Sequence, residues 1–133
     1  MIEREFDASV EALQSVLGFV EEELEKLECP LKTVMQITVC VEEIFVNIAH
    51  YAYSGNAGKM KLAVFPEEGG ISLRFSDSGK PFNPLLKTDP DISLSADERQ
   101  IGGLGIFMVK KTMDDVQYKY EDGQNILTIK KIF

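Results

Sequence analysis

Apolar residues recur every three or four positions along two stretches near the start of the chain, which predicts two amphipathic helices. The first stretch begins after Ser9, a candidate N-cap, and the second begins after Pro30, a residue that breaks helices. The apolar stripe of the first helix consists of Val10, Leu13, Leu17, Val20, Leu24 and Leu27. The stripe of the second helix, expected at about residues 32–53, consists of Val34, Ile37, Val41, Ile44 and Ile48.

Alternation of apolar and polar residues with a period of two predicts strands elsewhere. We expect a short edge strand at residues 1–7, strands at residues 59–66 and 71–78, and a final hairpin of residues 116–121 and 125–133. A third helix is predicted from the glycine cluster at residues 102–105 to about Met113. The stretch between about residues 79 and 102 lacks periodicity, which is typical of a functional lid or a disordered loop.

The order of these elements, β-α-α-β-β-lid-α-β-β, indicates the fold class. It predicts an α/β (α+β) two-layer sandwich, with three helices on one face of a mixed, mainly antiparallel sheet. At 133 residues the chain has the length of one domain, expected to span residues 1–133.

Charge and composition narrow the classes of function. With 14 basic and 22 acidic residues the net charge is −8, which argues against direct binding of nucleic acid as the main activity. The longest apolar runs are too short for a membrane span, and the charged start does not resemble a signal peptide. Cys29 and Cys40 form neither a disulfide framework nor a metal-ligand spacing, so we expect a cytoplasmic protein with reduced thiols.

Glu43 and Asn47 lie one turn apart on the second helix, which is apolar almost all the way round. Burying these polar groups without partners is costly, so something must satisfy them. One interpretation is a Mg²⁺ site, in which Asn47 offers its carbonyl oxygen and Glu43 positions or deprotonates an attacking group. The other is a hydrogen-bonded pair with no catalytic role. The spacing alone does not decide between them.

Asp77 ends an inward apolar row on the second predicted strand and is followed by Gly79. A carboxylate there can accept a hydrogen bond from an exocyclic amine and so select adenine, while Gly79 lets the backbone approach a flat ligand. The competing interpretation is a common Asp-Ser-Gly turn that ends the strand. In isolation the turn is the better explanation.

Gly103 and Gly105 open the third predicted helix. Glycine backbone N–H groups and the positive end of a helix together favour a phosphate. The sequence is neither a dinucleotide fingerprint, because Met108 stands where a third glycine is needed, nor a Walker A loop. The glycines could also serve only as hinges of the lid, a role compatible with phosphate binding. His50, the only histidine, gives no catalytic triad or zinc site.

The order of these motifs closely resembles that of the GHKL (Bergerat-fold) ATPases, from about residue 8 to 133. The chain is most similar to the small, stand-alone anti-sigma-factor serine kinases of bacterial partner-switching systems. The motifs that carry this similarity are Asp77-Ser78-Gly79-Lys80-Pro81-Phe82-Asn83-Pro84, Gly103-Leu104-Gly105-Ile106 and Met113-Asp114-Asp115-Val116.

The resemblance implies that the protein binds ATP and Mg²⁺. It implies that Asn47 is the Mg²⁺ ligand and that Glu43 is the general base toward a serine hydroxyl. It further implies contacts to adenine from Asp77 and Gly79, with Thr128 of the last strand matching the family threonine beneath the base. The implied phosphate-binding residues are Gly103, Leu104 and Gly105.

Partners also follow from the resemblance. The expected phosphoacceptor is a serine on a STAS-domain anti-sigma-factor antagonist, and the second partner is a sigma factor held inactive. Since family members are often homodimers, the resemblance also implies a dimer. The alternative from a different class is a nucleotide-dependent regulatory binding module that controls a partner without phosphotransfer.

Two positions depart from the pattern of the family. Related kinases usually have His-Ala-Tyr after the Glu-x-x-x-Asn motif, whereas Tyr51-Ala52-Tyr53 stands here and His50 comes one place early. An arginine is often found near the second glycine motif, and Arg99 precedes Gly102 by three residues.

Overall fold

Helices and strands follow the predicted order, β-α-α-β-β-α-β-β, in the computed structural model, which describes residues 1–86 and 103–133. The helices of this part are α1 (Leu13–Lys26), α2 (Leu31–Tyr51) and α3 (Gly103–Thr112). The strands are β1 (Ile2–Asp7), β2 (Lys59–Glu67), β3 (Gly70–Asp77), β4 (Asp115–Glu121) and β5 (Gln124–Ile132).

The strands form one sheet in the order β1-β2-β3-β5-β4. Every pairing between the described strands is antiparallel, whereas a mixed, mainly antiparallel sheet was expected. The central pairing of β3 with β5 sets Asp77 opposite Asn125 and Phe75 opposite Leu127. Because residues directly opposite one another share a face, these four side chains lie on the same side of the sheet.

The hydrophobic core lies between this face of the sheet and the helices. The fully buried sheet residues include Met60, Leu62, Val64, Ile71, Leu73, Phe75 and Ile129. The helices contribute Val16, Phe19 and Leu24 from α1, Ile37, Ile44 and Phe45 from α2, and Val109 from α3. Each large side chain buried in this way stabilises the fold by about 1.5–3 kcal/mol. The predicted two-layer arrangement is confirmed.

The opposite face of the sheet carries paired charges. Glu3 lies 3.5 Å from Arg74, Glu67 lies 3.0 Å from Lys130, and Asp7 pairs with Lys59. Exposed ion pairs of this kind contribute only about 0–1 kcal/mol each. This face is therefore solvated, and the side chains that could form a ligand site lie on the helical side.

The start of the first helix differs from the expectation. Ser9 has an extended backbone and makes no capping hydrogen bond through its side chain. A 3-10 turn at Val10–Ala12 follows, and the α-helix begins only at Leu13. Ala8 is buried and its N–H donates to the carbonyl of Gly58, so tertiary contacts fix the chain here in place of a local cap.

Both cysteines are free thiols, as expected. Burial raises the pKa of the Cys40 thiol on α2, and it also raises the pKa of Cys29 in the α1–α2 connection. Among the described residues, none of the helices combines the length and the hydropathy that a membrane span requires.

Candidate functional site

A cavity opens between α2, the end of β3, the start of α3 and the β4–β5 hairpin. Its apolar walls include Ile44, Ile48, Phe75, Ile106 and Leu127. Its polar lining includes Asn47, Asp77, Lys80, Tyr118 and Asn125. A mainly apolar wall with a few polar groups is typical of small-molecule sites.

Glu43 and Asn47 lie on the side of α2 that meets α3. A methyl group added at Gly105 would overlap Oε2 of Glu43 and would lie 3.0 Å from its Cδ, so the Glu43 carboxylate rests directly against the first turn of α3. Both side chains are half-buried, and neither hydrogen-bonds to residues 1–86 or 103–133. Within this part of the chain, the interpretation as a mutually bonded structural pair therefore has no support.

Asp77 is buried at the other end of the cavity, with 6% of its surface exposed. Its Oδ1 accepts hydrogen bonds from the N–H of Gly79 at 2.9 Å and from Nδ2 of Asn125 at 3.0 Å. Its Oδ2 accepts none from the described residues, so this oxygen is free for a ligand. The Asp-Ser-Gly turn exists, and it leaves half of the carboxylate available.

Gly79 is required by close packing, not by its backbone angle. A methyl group at this position would overlap the carbonyl oxygen of Ala52 and would lie 2.7 Å from the Ala52 Cβ. The N–H of Lys80 donates to the same Ala52 oxygen at 2.9 Å. The loop after β3 is thereby fastened to the end of α2, next to the turn that carries Asn47.

Tyr53 strengthens this junction from the same side. Its hydroxyl accepts a hydrogen bond from the N–H of Ser78 at 2.9 Å and donates one to the carbonyl of Lys59. Its ring covers Gly58 so closely that a side chain there would overlap it. The Tyr51-Ala52-Tyr53 segment thus joins α2 to both ends of the β2–β3 hairpin.

Asn125 and Tyr118 are the two cavity residues that the sequence patterns did not single out. Asn125 is buried and lies directly opposite Asp77, and its Oδ1 accepts the hydroxyl hydrogen of Tyr118. Burial raises the pKa of the Tyr118 phenol, and the nearby Asp77 charge adds to the shift, so this hydroxyl remains a donor. The alternation of Asn125, Leu127 and Ile129 along β5 was the available signal.

Thr128 is not brought to the cavity. It pairs with Arg74 and Gln117, and successive residues of a strand point to opposite faces, so Thr128 lies on the charged outer face of the sheet. The residue of β5 that lies directly opposite Asp77 is Asn125. Thr128 comes three residues after Asn125, and an odd number of steps along a strand places a side chain on the opposite face of the sheet.

The remaining predicted residues are only partly described. Gly103 is the first residue of α3, while the side chain of Leu104 and all of residues 87–102 lie outside the described part, including Arg99 and Gly102. The expected lid therefore also lies mostly outside it. Tyr51 lines the cavity, and exposed His50 meets it edge to face, with ring centroids 6.0 Å apart.

The donor set fits a magnesium ion bound by few protein groups. Asn47 is half-buried and lines the cavity, and its side chain has no hydrogen-bond partner among the described residues. Those residues contain no cluster of three or more His, Cys, Asp or Glu side chains that could enclose a metal. Mg²⁺ usually takes one or two protein oxygens and completes its shell with phosphates and water.

Known proteins are similar to this chain along most of its length. A sequence profile described as the histidine kinase-like ATPase domain matches residues 6–131. The chain is 29% identical over 94 residues to the serine/threonine-protein kinase BtrW of Bordetella bronchiseptica, a match that covers 70% of this chain and 66% of BtrW. It is 27% identical over 129 residues to the serine-protein kinase RsbW of Listeria monocytogenes, covering 93% of this chain and 76% of that protein.

A solved structure shows the same architecture. The RsbU and RsbW domains of Rv1364c from Mycobacterium tuberculosis match with a TM-score of 0.65 over 99% of this chain and 32% of that one. At 13% identity this likeness speaks for the fold alone, and it confirms the predicted fold class. Together with the profile match over nearly the whole length, it places the chain in a family: the protein belongs to the histidine kinase-like ATPase domain family.

Proposed function

We propose that this protein is an ATP-dependent protein serine kinase that acts as an anti-sigma factor in a bacterial partner-switching system. It transfers phosphate to a serine of a STAS-type antagonist and holds a sigma factor inactive. The observation that carries the proposal is the contact of the Glu43 carboxylate with Gly105, one helical turn from Asn47. The names of the relatives, serine-protein kinase and serine/threonine-protein kinase, support the enzyme class.

The adenine of ATP occupies the end of the cavity that contains Asp77. The free Oδ2 accepts a hydrogen bond from the exocyclic amine, and the apolar walls formed by Ile44, Phe75 and Leu127 cover the flat base. The close approach of Gly79 to Ala52 keeps the loop backbone out of the space that the base fills. The base is thus recognised by one charged acceptor within an apolar slot.

The phosphates lie at the other end, where α3 begins at Gly103. The first backbone N–H groups of a helix have no partner within the helix, and they bind phosphate with the help of the helix dipole. Asn47 would hold Mg²⁺ through its side-chain oxygen, and the ion would supply positive charge that offsets the charge of the phosphates.

Glu43 acts on the incoming serine. Its carboxylate takes the hydroxyl proton as the serine oxygen forms a bond to the γ-phosphorus, and the bond to the β–γ bridging oxygen breaks to release ADP. Because Gly105 has no side chain, this carboxylate fits beside the phosphate-binding turn. A base in this position typically contributes about 10²–10⁴-fold to the rate.

Calorimetry tests the nucleotide site. Wild type should bind ATP more tightly with Mg²⁺ than with EDTA, and Asn47→Ala should lose this difference because the metal ligand is removed. Asn56→Ala, an exposed asparagine of the α2–β2 loop, is the matched control and should bind as wild type does. Failure of the wild type to bind ATP under either condition would refute the proposal.

Phosphotransfer to a purified antagonist protein tests the catalytic role. Glu43→Gln should reduce the rate by at least about 10²-fold with little change in ATP affinity, since the amide keeps the shape but cannot take a proton. Glu42→Gln, one residue away and about 100° round α2, is the control and should remain active. ATP binding without any transfer by wild type would favour the regulatory binding module instead.

Two further features belong to the proposal. We expect the protein to work in the cytoplasm, where its two free cysteines stay reduced. We also expect a homodimer, by analogy with the family, and sedimentation equilibrium of the purified chain checks this state. A monomer at all concentrations would remove the dimer from the proposal without affecting the kinase.

A further inference from the structure

Asn125 occupies a buried position at the centre of the polar end of the cavity. It lies near the start of β5, exposes 8% of its surface and faces Asp77 across the β3–β5 pairing. Its side chain reaches both the loop that follows β3 and the neighbouring strand β4. It therefore joins β3, this loop and β4 through the hydrogen bonds of a single amide.

The two ends of its amide have different partners. Nδ2 donates to Oδ1 of Asp77 at 3.0 Å and to the carbonyl of Lys80 at 2.9 Å, with the Gly79 carbonyl at 3.4 Å. Oδ1 accepts from the N–H of Phe82 at 3.1 Å and from the hydroxyl of Tyr118. A flipped amide would set oxygen against oxygen on one side and donor against donor on the other, so a single orientation is possible.

This arrangement fixes the orientation of the Asp77 carboxylate. Both of its hydrogen bonds to residues 1–86 and 103–133 end on Oδ1, one from Asn125 and one from the Gly79 N–H. A carboxylate held on one oxygen cannot rotate to share its charge between two positions. The remaining acceptor, Oδ2, therefore keeps a constant place relative to the cavity walls.

We propose that Asn125 is a positioning residue that sets the base preference of the nucleotide site, by holding Asp77 so that Oδ2 demands a donor from the ligand. The inference rests on the proposed ATP-binding function. Adenine carries an exocyclic amine at the edge that meets this oxygen. Guanine carries a carbonyl at the corresponding atom, and its oxygen would face the carboxylate without a hydrogen between them.

Tyr118 completes the arrangement from β4. Its hydroxyl fills one of the two lone-pair positions of Asn125 Oδ1, while the Phe82 N–H fills the other. Removal of the hydroxyl leaves a buried acceptor short of one donor and holds the amide less tightly. Tyr118 thus holds Asn125, Asn125 holds Asp77, and Asp77 contacts the base.

The first test is the ratio of ATP to GTP affinity, measured by calorimetry. Asn125→Ala should weaken ATP binding about 10- to 100-fold, as expected for loss of a hydrogen bond to a charged group, and GTP binding much less. Tyr118→Phe, which keeps the ring, should lower the ratio by about 2- to 10-fold. Gln117→Ala, on the outer face of β4, is the matched control and should preserve the ratio.

The second test uses acid. In Asn125→Asp a carboxylate replaces the donor beside Asp77, and two carboxylates that share a site raise the pKa of one of them. Protonation supplies an O–H donor to Asp77, so ATP affinity of this variant should recover by about tenfold from pH 8 to about 5.5. Wild type and Asn125→Ala measured over the same range correct for the titration of the nucleotide phosphates; the other titratable side chains that line the cavity are Lys80, Tyr51 and Tyr118.

The outcomes separate the two proposals. If wild type binds no nucleotide, the proposed function is wrong and the positioning role falls with it. If wild type binds ATP but Asn125→Ala and Tyr118→Phe keep its ATP-to-GTP ratio, only the positioning role is overturned. The positioning role would also be overturned if the variants lose thermal stability but keep the ATP-to-GTP ratio and Asn125→Asp recovers no ATP affinity in acid. Those are the results expected of an asparagine that only stabilises the fold.

Discussion

Replacing Gly105 by alanine should separate catalysis from stability. The added Cβ would overlap Oε2 of Glu43 and lie 3.0 Å from Cδ and 3.4 Å from Cγ. Carbon–carbon contacts settle at about 3.5–4.0 Å, so the carboxylate must retreat by about 0.5–1 Å. The Glu43 side chain is flexible and only half-buried, and it can make this movement without disturbing the core.

The movement is expected to matter for phosphotransfer. A displacement of about 1 Å in a catalytic group can cost about 10²-fold in rate. The same substitution favours the helix, since alanine is better than glycine in a helix by up to about 1 kcal/mol. Gly105→Ala should therefore transfer phosphate about 10- to 100-fold more slowly, with unchanged ATP affinity and equal or greater resistance to urea.

Gly18 offers a matched control. It lies in the middle of α1 and is exposed, and a methyl group added there would meet no atom within 4 Å, so Gly18→Ala should stabilise the protein and leave transfer unchanged. Rates are compared at saturating ATP, with affinities from calorimetry and stability from urea unfolding. A Gly105→Ala protein that transfers phosphate within about twofold of wild type would refute the catalytic placement of Glu43.

Other predictions follow from contacts at and near the cavity. Gly79→Ala forces a methyl group against the Ala52 backbone, which cannot yield as a side chain can, so urea unfolding should show a loss of about 1–3 kcal/mol and calorimetry a weaker affinity for ATP. An unaltered urea midpoint would contradict this packing. Cys40 is fully buried and burial raises its pKa, so less thiolate forms at neutral pH, and a thiol reagent should label Cys29 before Cys40. The second thiol should react only after denaturation, and equal rates in the folded protein would argue against the buried placement.

The sequence was sufficient for the elements and for the ends of the cavity. The stripe of α2 and the alternation in β3 are strong local signals, and they place Asn47 and Asp77 on inward faces without further knowledge. The order of the motifs then indicates the family. None of these steps requires contacts between distant parts of the chain.

The features that could not be predicted from the sequence depend on contacts between residues that are far apart in the chain. Ala52 and Gly79 are in contact only because α2 ends beside the loop after β3. The identity of neither residue indicates this contact. Thr128 matched a family position by its place in the sequence. Every second residue of β5 points toward the helices, however, and this inward row begins at Asn125 and does not include Thr128. Ser9 fitted a cap, but the fold ties down the chain at Ala8 instead.

The position of β5 in the sheet has a consequence for synthesis on the ribosome. This strand emerges after both β3 and β4, yet it lies between them in the sheet and supplies Asn125 to the nucleotide cavity. A nascent chain that lacks it has α2 and β3 but no completed pocket for a base. Nucleotide binding can therefore begin only when the hairpin of β4 and β5 has docked, and ATP then stabilises the finished protein and not its precursors.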